Sequence, residues 1–184
     1  MSITARKSFG IFFISISVAI IVGSLFSEII ELIKLHHIFH FIAWTFIFGI
    51  IMTILIIKYK RIFSLIRNRM KTSMKWPLSA KIINGLCWTI PFLLIPLFPS
   101  IYQFLILAGI GLGNLSTFLL TQKYSNIKNY EQFIVGILSI LFIPLAIYID
   151  NSLLSSQNIA IIISRLMIAI SYGIGGIFAL VSKY

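Results

Sequence analysis

Residues 58–81 read KYKRIFSLIRNRMKTSMKWPLSAK. Eight of them are Lys or Arg, none is acidic, and long apolar runs lie on either side. A soluble domain does not combine such a run with a chain that is 59% hydrophobic. The stretch therefore reads as a basic loop between membrane spans. Short cytoplasmic loops collect Lys and Arg, so the same stretch also orients the chain.

The rest of the composition agrees. Mean hydropathy is +1.05, and charged residues make up 10% of the chain against about a quarter in globular domains. At 184 residues there is room for one bundle, a single domain over 1–184. A net charge of +11 invites a nucleic-acid partner, but the charge sits in short loops rather than on a folded basic face. The expected partners are the bilayer itself and anionic lipid head groups, together with membrane-protein subunits. Nucleic acid is not among them. The lone cysteine, Cys87, falls inside an apolar run, where it is a small packing residue and can join no intrachain disulfide. Arg6 and Lys7 ahead of an apolar stretch resemble a signal sequence, but further spans follow, so the segment is expected to be an uncleaved first helix.

A spanning helix needs about 20 mainly apolar residues. Six stretches meet this: 9–27, 38–57, 82–98, 101–120, 133–149 and 159–181. No charge occurs between Lys81 and Lys123. That run is too long for one helix, and Pro99-Ser100 supplies the turn that divides it. The expected fold is an all-α membrane protein with six transmembrane helices in one bundle and no internal repeat. Counting alternate sides places 13 of the 15 basic residues together with both termini, which makes that side cytoplasmic.

Within the basic loop, Ile62, Ile66, Met70 and Met74 recur at helical spacing, with Phe63 and Leu65 beside them. Arg67, Lys71 and Lys75 recur on the other face. This predicts a cationic amphipathic helix in the cytoplasmic interface, ended by Trp76-Pro77. Lys58, Lys60, Arg61, Arg67, Lys71 and Lys75 are its expected head-group contacts.

Polar residues inside the spans are the candidates for function. Arg165 stands about six residues into the last span, on a face shared with Ala169, Tyr172 and Gly176. It can snorkel to the head groups, pair with an acid, or meet a ligand. Ser17, Ser24, Glu28 and Glu31 form one stripe on the first span, so Glu28 or Glu31 is the expected partner of Arg165. In the fourth span Gln103, Asn114, Thr117 and Thr121 align. Gly109 and Gly113 make a close-packing face. Asn114 needs a hydrogen-bond partner, either as interhelical glue or as the lining of a polar path.

His36, His37 and His40 open the second span, close to Glu28 and Glu31 across a short hairpin. Imidazole with carboxylate suits zinc, copper or iron. The plainer roles are a polar cap at the helix end and proton handling. Beyond such a divalent metal no cofactor is expected. All three histidines lie within five positions, so two helices cannot offer a haem a His each. No hydrolase, zincin or nucleotide-binding motif occurs, and an enzyme is not the favoured reading. Three functions remain: an accessory or structural subunit of a membrane complex, which leads; a small transporter or channel-like protein with a polar path near Arg165, Glu28 and Asn114; and a metal-handling protein built on the Glu/His cluster.

Overall fold

The computed structural model describes residues 3–36, 38–58, 60–73, 76–153 and 157–182. Seven α-helices make up almost all of it, and no strand occurs among the described residues. They are α1 (Ile3–Leu32), α2 (Ile38–Lys58), α3 (Lys60–Ser73), α4 (Leu78–Leu94), α5 (Tyr102–Ser125), α6 (Tyr130–Ser152) and α7 (Gln157–Val181), with a 3-10 turn at Pro99–Ile101 before α5. Five of them, α1, α2, α5, α6 and α7, are long and apolar enough to cross a membrane, the makeup of a multi-pass membrane protein.

Local chemistry sets the ends. Lys34 takes the left-handed conformation (φ 53°), while Leu35 N–H donates to Ile30 O and Lys34 N–H to Glu31 O. This pair of bonds is the Schellman arrangement, which stops α1 and reverses the chain into α2. Asn126, also left-handed, closes α5. The basic stretch does form a helix, α3, with Ile66 buried and Arg67 and Lys71 exposed. Met74 and Lys75, and the side chains of Ile62 and Phe63, lie outside the described residues.

α4 is shifted as a whole from its expected bounds, whereas α1 only extends beyond its own at both ends. α4 runs over Leu78–Leu94 rather than 82–98 and is 17 residues long. Pro77 precedes its first turn, where a preset φ of −62° favours helix entry. At the other end Pro99 disfavours helical geometry at Phe98, whose φ is −131°. The chain therefore turns before the proline, not at it.

Adjacent helices pack antiparallel. α1 lies along α7, α7 along α6, α6 along α5 and α5 along α4, while α2 rests on α1 and α3 touches α1, α2 and α5. The α1–α7 crossing is backbone on backbone. A methyl at Gly10 would stand 2.8 Å from Gly176 O, and one at Gly176 2.9 Å from Gly10 O. Among the described residues no extensive packing joins α1 to α5, or α2 to α4. That leaves a cleft between α1 and α5, with α7 as its floor.

Candidate functional site

The cleft has two ends, one at α3 and the other, called the far end, at the α1–α2 turn. At the far end the polar stripe of α1 meets α2 and α7. Ser17 Oγ donates to Ala169 O at 2.7 Å, and Trp44 Nε1 donates to Ser27 Oγ at 2.9 Å. Arg165 Nη1 lies 3.5 Å from Glu28 Oε1, with the two side chains 21% and 28% exposed. The guanidinium carbon of Arg165 also stands 5.9 Å from the centre of the Trp44 ring, within reach of a cation–π attraction. Glu31 Oε2 is 3.5 Å from His40 Nε2. Ser27, Glu28, Glu31, His40, Asn158 and Arg165 surround a polar vestibule of about 420 Å³. Deeper in, Ile20, Trp44, Phe48, Gln103, Ile110 and Ile168 line a mainly apolar chamber of about 300 Å³. Arg165, Tyr102 and Ile161 border both spaces. Arg165 therefore stands at the neck, about 12 Å from the start of α7 at 1.5 Å per residue.

Of the two carboxylates expected near Arg165, the structure brings Glu28 to it and turns Glu31 to His40. Among the described residues, no group of three His, Cys, Asp or Glu able to hold a metal occurs. The register explains this. His36 Nδ1 accepts from Ile38 N–H at 3.3 Å, capping the start of α2, and Glu28 faces a guanidinium. His37 lies outside the described residues.

At the α3 end, Asn84 of α4 is the hub. Its Oδ1 accepts from Ser116 Oγ at 2.7 Å and Thr117 Oγ1 at 2.9 Å. Trp88 Nε1 donates to the same Thr117 hydroxyl at 3.2 Å. Gly113 makes room for this indole, since a methyl there would come 2.3 Å from the ring, and Gly109 seats Phe92 likewise. The pair expected to be a close-packing helix face instead receives aromatic rings from α4. Asn114 Nδ2 donates to Ile110 O at 2.9 Å, and its side chain also bonds Tyr172. Gln103, Asn114, Thr117 and Thr121 are all buried. Phe12, Ile66, Arg67, Asn84, Trp88 and Tyr172 are among the residues around a third cavity, of about 680 Å³. Of the expected head-group contacts, Lys60, Arg67 and Lys71 are exposed. Lys75, and the side chains of Lys58 and Arg61, lie outside the described residues.

The chamber and the α3-end cavity are stacked. On α1, Ile20 lines the first and Ile16 the second; on α5, Ile110 and Asn114; on α7, Ile168 and Tyr172. Each pair is four residues apart, about one helical turn or 6 Å along the axis. A single layer of side chains thus divides two spaces that approach from opposite ends.

The sequence did not point to a second ion pair. Arg6 Nε lies 3.8 Å from Glu131 Oε2, with side chains only 5% and 0% exposed, and the Arg6 guanidinium also covers the Phe178 ring at 5.1 Å. A signal was there: Glu131 is the one acid among the residues assigned to the basic side. Gln103 Nε2 likewise donates to Asp150 Oδ1 at 3.1 Å, tying α5 to α6. Comparison with protein-family models, with curated proteins and with solved structures found no match to this chain.

Proposed function

We propose that this chain is a six-span membrane protein that binds a small solute in the α1–α5 cleft and passes it between the two cavities. α4 is the sixth span, and the termini and α3 face the cytoplasm, following the concentration of basic residues at that end. The observation that carries the reading is the stacking of two cavities one turn apart on α1, α5 and α7. A carrier needs a site reachable from either side across a thin barrier. Arg165 and Glu28 at the far neck, with Asn114 and Tyr172 below the barrier, are the residues placed to meet the solute.

Thiol access tests this without knowing the solute. In a Cys87→Ser background, Ile16→Cys and Ile20→Cys stand on opposite sides of the barrier. In a carrier, both thiols react with a membrane-impermeant reagent from both faces of sealed vesicles. Reaction of each from its own face alone sinks the proposal. A second reading, an accessory subunit, is favoured by α2, the least buried of the five long apolar helices, whose Phe41, Phe46, Ile50 and Ile54 are exposed. Stoichiometric partners in mild-detergent purification support it, and a homogeneous single species counts against it.

A further inference from the structure

The α3-end cavity combines two surfaces, one apolar and one cationic. Its wall toward α1 is aromatic and aliphatic, formed by Phe12, Phe13 and Ile16, with Ile66 of α3 closing it. Its mouth carries Arg67 and Lys71, one turn apart on the exposed face of α3. The remaining polar lining, Asn84, Asn114, Thr117, Gln132 and Tyr172, is uncharged, and no acidic residue lines the cavity among the described residues. At about 680 Å³ it falls in the range of ligand pockets, roughly 300–1,000 Å³.

The geometry points to an anionic phospholipid as the occupant, its phosphate held by Arg67 and Lys71 and one acyl chain laid against the Phe12–Ile16 wall. Three features select this chemistry. The cations and the apolar wall belong to one cavity, so a ligand satisfying both is an amphiphile with a negative head. α3 is amphipathic and packs beneath α1, α2 and α5, which sets the cations at head-group depth. Basic pockets between spanning helices on the cytoplasmic side bind anionic head groups for the same reason. A solute with charge but no chain would leave the aromatic wall facing water. The inference does not rest on transport, because the cavity holds the lipid whether or not anything crosses the barrier.

Trp88 lines this cavity, whereas Trp44 lines the far chamber and Trp76 lines neither. A Trp44→Phe/Trp76→Phe chain therefore reports on the cavity through Trp88 fluorescence. It is reconstituted into phosphatidylcholine vesicles containing a minor fraction of chain-brominated phosphatidylglycerol, or the same fraction of brominated phosphatidylcholine. The expected result is a preference of about thirtyfold in apparent affinity for the anionic quencher, the scale set by two basic contacts near the surface. Arg67→Gln/Lys71→Gln removes the preference. Lys7→Gln/Lys123→Gln, which deletes two exposed cations at the same end but outside the cavity, keeps it. Equal quenching by both lipids overturns the proposal, as does equal loss in the two charge variants, which would be surface attraction only. Displacement of the lipid by inorganic phosphate overturns it too, since the anion alone would then be recognised. Native mass spectrometry of the chain with all three tryptophans gives an independent reading. It should retain phosphatidylglycerol, and the Arg67/Lys71 variant should not; equal retention by both counts against the site.

Discussion

Arg165 and Arg6 show how little a residue's position along the chain says about the cost of removing it. By sequence Arg165 is the exposed risk, a cation well inside a span. Its partner Glu28 stands 3.5 Å away, yet both keep about a fifth or more of their side-chain surface open, at the polar vestibule. Water screens such a pair, so Arg165→Leu is expected to lower stability by about 1 kcal/mol. Arg6 looks like an ordinary flanking charge, but it and Glu131 are shut away together. Arg6→Leu takes the nearby cation from a buried carboxylate and should cost about 3–5 kcal/mol, whereas Arg6→Met with Glu131→Leu should be close to neutral. Denaturant unfolding in mild detergent ranks the three variants, and a larger loss for Arg165→Leu than for Arg6→Leu refutes the assignment. The Glu28–Arg165 contact was legible because stripe and depth can be read from one helix at a time. The Arg6–Glu131 contact was not, because it depends on which helices become neighbours.

At the scale of elements, the sequence reported that space was needed on α5 but not what would fill it. A Gly-x-x-x-Gly pair is compatible with a second backbone or with a large side chain. Here α4 presents Trp88 and Phe92 at the same four-residue spacing, and the rings take the two notches. Gly113→Ala should therefore cost about 1–3 kcal/mol by overpacking. A methyl at Gly85 meets nothing within 4 Å, so Gly85→Ala should be neutral or stabilising by up to about 1 kcal/mol. Thermal unfolding of the two variants in the same detergent checks both signs. α3 was readable in advance because one face pattern decides it. The displaced bounds of α4 were not, since two prolines near one end and one before the other move a helix without changing its hydropathy.

For the whole molecule, hydropathy and charge carried the class of fold, and packing decided everything about the cleft. No property of α1 or α5 alone announces that they stand apart. α4 spans about 26 Å at 1.5 Å per residue, slightly less than a hydrocarbon core of about 30 Å, so its crossing is best tested directly. In the Cys87→Ser background, Ser100→Cys and Lys34→Cys should react from outside with an impermeant thiol reagent, and Lys60→Cys only after permeabilisation. If Ser100→Cys behaves like Lys60→Cys, α4 does not cross and the six-span arrangement is wrong.

The pairing of α1 with α7 also has a consequence for how the protein is made. The Ser17–Ala169 hydrogen bond closes a loop of 152 positions, and α7 is the floor on which the cleft is built. At about 5–20 residues per second, α1 waits on the order of ten seconds in the bilayer before its main neighbour is synthesised. Throughout that interval Glu28 lacks Arg165, and Arg6 lacks Glu131 for nearly as long. The nascent first helix is thus the stage most open to misassembly and to capture by insertion chaperones, and assembly is completed from the last helix back to the first.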